Sequence, residues 1–118
     1  MQYIYDGEFY KIVKITGPKH NILSLSFTKN INEIEVADLN KLADDGANID
    51  PSEVKNQVLI GIREINNELC TDYKVSKIQF ISSDSYSNTI YIELTKNIIR
   101  RIEKGGEFTF VKISSSTK

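Results

Sequence analysis

The chain has 118 residues, 40% hydrophobic and 26% charged, with a net charge of −1 at pH 7. That length supports one core, which at this size hides roughly 65% of the surface an unfolded chain exposes. The composition excludes a disordered chain, or one that needs disulfides or metal as staples, and the charge gives no general pull toward nucleic acid, whose binders carry a basic excess on one face.

The opening Met1-Gln2-Tyr3-Ile4-Tyr5-Asp6 lacks the basic start and long apolar stretch of a secretory signal, and Asp6 and Glu8 interrupt it, so no export is expected. Phe9, Tyr10, Ile12, Val13 and Ile15 make 8–15 a strand, and Gly17-Pro18-Lys19-His20-Asn21 then carries turn chemistry. Over 22–27, Leu23, Leu25 and Phe27 alternate with polar residues as in a half-buried strand, which closes an antiparallel hairpin. Residues 31–36 supply a third short strand, whose outward carboxylates discourage edge-to-edge pairing. Helix formers over 37–45 stop at Gly46, and the stretch reads as a loop with some helical character.

A helix start is written in Asp50-Pro51-Ser52-Glu53: Asp50 suits the cap, Pro51 the first helical position, and Glu53 the return arm of a capping box. Val54, Val58, Ile62, Ile65 and Leu69, with Leu59 beside them, extend one apolar stripe to about Cys70. Tyr73, Val75, Ile78, Phe80 and Ile81 form a buried strand, and polar 82–88 a loop. Tyr91, Leu94, Thr95, Ile98, Ile99 and Ile102 fit a 3.6-residue repeat over 89–104. Arg100, Arg101 and Lys104 oppose the negative end of that helix, and Gly105 offers the left-handed stop. Phe108, Phe110, Val111 and Ile113 give a last strand before the polar tail 114–118. The expectation is one α+β domain over 1–113, ordered β-β-β-α-β-α-β, with two helices packed on a small, mostly antiparallel sheet.

The longest apolar run, Val58-Leu59-Ile60-Gly61-Ile62, falls far short of the roughly 20 residues that cross a bilayer. One cysteine, Cys70, forms no internal disulfide and suits a reducing cytoplasm. One histidine, His20, rules out histidine-cluster metal sites. Cys70 with His20 as a nucleophile pair competes with the commoner role of a small buried filler at a helix end. The pairs Glu33 with Glu35 and Asp44 with Asp45 lie in polar surroundings and read as solvated acids. Gly105-Gly106 follows a helix, whereas phosphate cradles lead into one. Lys11, Lys14, Lys19 and Lys29 near Phe9, Tyr10 and Phe27 could form a basic, aromatic platform, yet no ribonucleoprotein-type motif accompanies them. No catalytic residue, metal or cofactor is therefore expected, and binding another protein is the expected work.

Charge is segregated. Residues 31–53 hold seven acids against Lys41 alone. Such a field steers a basic partner, although a helix start and a solvated loop also attract acids for structural reasons. Glu33, Glu35, Asp38, Asp44 and Asp45 are the candidate partner-binding residues.

Val58-Leu59-Ile60-Gly61-Ile62 with Asn66 and Leu69, the run Ile78-Gln79-Phe80-Ile81-Ser82-Ser83-Asp84-Ser85, and Tyr91, Leu94-Thr95, Ile98-Ile99-Arg100-Arg101-Ile102 and Gly105 together resemble immunity proteins of bacterial contact-dependent growth inhibition and related polymorphic toxin systems. The resemblance implies a cytoplasmic protein that binds the C-terminal domain of a cognate toxin, frequently a nuclease, and blocks its active or substrate-facing surface. It implies no direct contact with nucleic acid or membrane, and it transfers no individual binding residue. A regulatory or structural module that self-associates, and a small enzyme with an unrecognised site, are the alternatives.

Overall fold

The computed structural model describes residues 1–16, 19–30, 33–39, 49–81 and 87–111. The chain is α+β. Its elements run β1 Gln2–Tyr5, β2 Tyr10–Thr16, β3 Lys19–Thr28, β4 Glu35–Asp38, α1 Pro51–Leu69, β5 Lys74–Phe80, α2 Ile90–Glu103 and β6 Thr109–Phe110. The six strands form one sheet in the order β4-β5-β3-β2-β1-β6. The three inner ladders are antiparallel, while β4 on β5 and β6 on β1 are parallel, so the sheet is mixed.

Among the described residues four strands precede the first helix, where three are expected. The extra one, β1, is folded back on β2 by the Asp6-Gly7 turn, in which the Asp6 carboxylate accepts the Glu8 and Phe9 amides at 2.9 and 2.7 Å and Gly7 takes φ of +100°. A left-handed residue at that place favours glycine, which has no Cβ to clash. The expected turn at 17–21 is shorter, because β3 already pairs with β2 from Lys19, opposite Thr16; Gly17 and Pro18 lie outside the described residues. The third strand is displaced to Glu35–Asp38, so that Val36 pairs with Ile78 in the parallel ladder. Among the described residues the last strand is Thr109–Phe110, and Ile113 lies outside them. Residues 40–48, 82–86 and the 114–118 tail lie outside the described residues.

Helix α1 starts where the sequence places it: the Asp50 carboxylate accepts the Ser52 amide at 2.9 Å, with Pro51 at the first helical position. The Glu53 carboxylate accepts a bond from the Gln57 side chain at 3.4 Å. The far end differs from expectation. Cys70 is exposed and adopts φ 57°, ψ 46°, its amide bonding to the Asn66 carbonyl, so it is a left-handed helix stop and not a buried filler. The apolar stripe does reach Leu69, which packs partly buried against the core, and only Cys70 beyond it is exposed.

Both helices pack on one face of the sheet and run parallel to each other, since β5 carries the chain back between them. Gln57 meets Tyr91, Gly61 meets Ile92 and Thr95, Glu64 pairs with Lys96 at 3.1 Å, and Glu68 with Arg100 at 3.2 Å. These exposed ion pairs contribute about 0–1 kcal/mol each and chiefly mark the register. Ile12, Leu23, Leu25, Ile78 and Phe80 of the sheet pack with Val54, Val58, Ile65, Tyr91, Leu94, Ile98 and Ile99 of the helices in one core. The alternate strand residues Lys11, Val13, Ile15, Ile22, Lys77 and Gln79 face away from the helices, and Ile15 is 65% exposed. Among the described residues, no helix is long and apolar enough to cross a membrane.

Candidate functional site

Aromatic side chains gather where the helix layer stops. Tyr5 and Tyr10 are register partners at the β1–β2 end and stack at 4.3 Å; Tyr10 meets Phe27 at 5.8 Å and Phe27 meets Tyr73 edge-to-face at 5.2 Å. Phe108 joins Tyr10 and Tyr3 at 5.2 and 5.7 Å, and the Arg101 guanidinium lies 4.2 Å from the centre of the Tyr3 ring. Such ring pairs prefer these tilted and edge-on geometries and each contributes about 0.5–1.5 kcal/mol beyond the area they bury.

A bulge brings Phe27 and Val75 to the same face. Ser26 pairs with Lys77 and Phe27 with Val75, which leaves Ser76 as the extra residue, its hydroxyl donating to the Ser26 carbonyl at 3.1 Å. Without that insertion Val75 would point to solvent; with it Val75 is buried and Phe27 stays above the sheet beside Tyr73.

Asn66 holds Tyr73 in place. Its side-chain carbonyl accepts the Tyr73 amide at 2.9 Å and the Thr71 hydroxyl at 2.8 Å, while its amide donates to the Tyr73 carbonyl at 3.0 Å. One side chain thus satisfies both backbone groups of Tyr73, as a neighbouring strand would. The Tyr73 hydroxyl donates to the Glu103 carboxylate in the last turn of α2. Burial, and then the bond to Glu103, push the Tyr73 phenol well above the ordinary tyrosine range. Burial, followed by the neighbouring Tyr5, raises Tyr10 as well.

Between the end of β3, the α1–β5 connection and the end of α2 lies an open cleft of about 510 Å³, walled by Phe27 and Tyr73 and rimmed by Lys29, Asp72, Lys74 and Glu103. Lys74 is held by Asp72 at 2.9 Å. A second recess of about 490 Å³, reaching Tyr5 and Tyr10, shares the Phe27 and Tyr73 walls. Clefts of this volume with apolar walls and a few polar groups suit a small molecule or one or two side chains of a partner.

The acids singled out in the sequence are spread out. Glu33 and Glu35 are exposed; Glu35 faces away from the helices, in register with Lys77, whereas Asp38 is half-buried on the helix side, in register with Phe80. Asp44 and Asp45 lie outside the described residues. His20 and Cys70 are not brought together: His20 opens β3, while Cys70 lies three residues before Tyr73, which meets Phe27 near the other end of that strand. Seven residues of strand separate His20 from Phe27, about 23 Å at the usual strand rise. Lys11 and Lys14 project from opposite faces of β2, so the basic and aromatic residues do not make one platform. Among the described residues, no three His, Cys, Asp or Glu side chains converge as a metal site would require.

The Phe27–Tyr73 wall, the Asn66 clamp and Glu103 as its acid were not singled out from sequence; the signal was the density of tyrosine and phenylalanine at strand ends, where a core needs fewer of them. No family model matches the chain, and neither a curated protein nor a solved structure matches it.

Proposed function

We propose that this chain works by binding another protein, and that it does so as an immunity protein, holding the C-terminal domain of a bacterial toxin in the cytoplasm of the producing cell. The observation that supports this reading is the aromatic cleft. Aromatic residues, tyrosine and phenylalanine among them, are enriched at the buried centres of protein interfaces, where they cover large areas with few torsions to freeze. Tyr73 is already fixed by Asn66 and Phe27 by the bulge, so little ordering is left for a partner to impose. The acidic stretch 31–53 adds a field that speeds encounter with a basic surface, with Glu33 and Glu35 exposed to exert it.

The test is co-expression of the full chain with the C-terminal domain encoded by the reading frame directly upstream. A one-to-one complex that survives size exclusion and is weakened at least tenfold by Phe27→Ala supports the reading. A domain that elutes apart at micromolar concentration refutes it.

The uncovered side of the sheet favours a second reading. Ile15 is exposed and Val13 is the register partner of Ile22 there, an arrangement suited to self-association. Sedimentation of the isolated chain tests the second reading, since a self-associating module must give a dimer mass, which an immunity protein need not.

A further inference from the structure

We infer that the cleft between Phe27, Tyr73 and Glu103 receives a cationic side chain, an arginine or lysine presented by the partner protein. This rests on the protein-binding reading and names the chemistry of its contact.

Three observations point the same way. The cleft walls are two aromatic rings, which attract a cation to their negative faces and offer nothing comparable to an anion. The carboxylate on the rim, Glu103, sits in the last turn of α2, where the helix dipole is negative and disfavours an acid. Among the described residues Glu103 forms no ion pair with Lys or Arg; its bond is to the neutral Tyr73 hydroxyl. Arg100 and Arg101 in the same turn already oppose the helix end, but Arg100 is held by Glu68 and Arg101 donates to the Glu107 carbonyl and covers the Tyr3 ring, so the Glu103 carboxylate itself is left to an incoming cation. The positive charges nearby do not reverse this preference. Lys74 is engaged by Asp72 at 2.9 Å, and Lys29 is exposed beyond the end of β3. Lys29 is a like charge that weakens the site without filling it.

The length of an arginine or lysine fits. Its methylene stem can lie along the apolar walls while its head reaches Glu103, as long cationic side chains do over apolar surfaces. The Tyr73 hydroxyl donates to the Glu103 carboxylate and so holds that carboxylate at the rim of the cleft.

The experiment titrates the full chain with three capped tripeptides, glycine-arginine-glycine, glycine-norleucine-glycine and glycine-glutamate-glycine, and follows backbone amide shifts at Thr71, Tyr73, Lys74 and Glu103. The arginine peptide is expected to shift these amides with millimolar affinity, at least about fivefold tighter than the norleucine peptide, as desolvated cation–π and carboxylate contacts predict. Glu103→Gln keeps an acceptor for the Tyr73 hydroxyl, and therefore the fold, but should remove that fivefold preference; Lys29→Ala should strengthen it. Equal binding of arginine and norleucine, preference for the glutamate peptide, or no shift with arginine overturns the inference. Failure here is separable from failure of the reading above. If Phe27→Ala weakens partner capture while arginine shifts nothing, protein binding stands and the cationic contact falls. If arginine binds while Phe27→Ala leaves capture intact, a cation site remains and its assignment to a partner protein falls.

Discussion

Replacing Gln57 by Leu should unfold this protein more readily than any loss of a surface contact would, because Gln57 is a cap supplied to α2 by the neighbouring helix. The N-cap residue of α2, Thr89, makes no side-chain capping bond. The Tyr91 amide in the first turn instead donates to the Gln57 side-chain carbonyl at 2.9 Å, and the Gln57 amide donates to the Ser87 carbonyl at 3.2 Å. Gln57 is 1% exposed, so water cannot take over when the amide is removed. Leu fills similar space, leaving a buried donor and a weakened acceptor; at about 1–3 kcal/mol for a buried group deprived of its partner, the loss should be roughly 2–4 kcal/mol. For a domain of this size that is a fall in Tm of roughly 10–20 °C. Urea titration of the purified variants measures it, with Thr89→Ala as the comparison, which should change stability by less than about 0.5 kcal/mol because no cap is lost. Faster hydrogen exchange at the Tyr91 amide should accompany the Gln57→Leu loss. If Thr89→Ala proves costly and Gln57→Leu neutral, the cap is local and the reasoning fails.

Gly61→Ala should destabilise by roughly 0.5–2 kcal/mol in the same assay: the added Cβ would stand 2.9 Å from the Ile92 carbonyl oxygen, and the resulting overpacking outweighs the roughly 0.5–1 kcal/mol gained by replacing glycine inside a helix. A more stable Gly61→Ala would show that the two helices can part freely. Cys70→Gly should raise stability by about 1 kcal/mol, since Cys70 holds φ 57° that glycine adopts without strain; a variant that melts earlier contradicts the left-handed cap. The phenol of Tyr73 is raised in the folded state, so its contribution is intact below the ordinary value of 10.0 and is lost as pH climbs above it toward the folded pKa, the unfolded chain ionising first. Stability should therefore fall between pH 10 and 11, less steeply in Tyr73→Phe; equal slopes in thermal melts would rule out Tyr73 as a source.

Sequence reasoning recovers elements whose signal is local. The Asp50-Pro51 start of α1 and the α2 stripe from Tyr91 to Ile99 are in place. The stop at Gly105 is confirmed by its φ of +71°. Strand β1 had a local signal too, the Asp6-Gly7 pair that favours tight hairpins, flanked by Tyr3 and Tyr5. Periodicity alone passes over it because four residues are too few to alternate convincingly. The cleft was hidden for a different reason. Phe27, Tyr73 and Glu103 are far apart in the chain, and a bulge with its extra residue Ser76 decides which way Phe27 and Val75 face.

The amino-acid sequence by itself determined the α+β class, the extent of both helices and which side of each is apolar, because caps, stops and hydrophobic spacing act within a few residues. Tertiary structure decided the rest. Parallel closure of α1 on α2 at Gly61, the Gln57 cap on the opposite helix and the Asn66 grip on Tyr73 depend on groups that meet only after the sheet has brought them together. A buried amide takes its meaning from the partner it finds, and that partner is chosen by the fold.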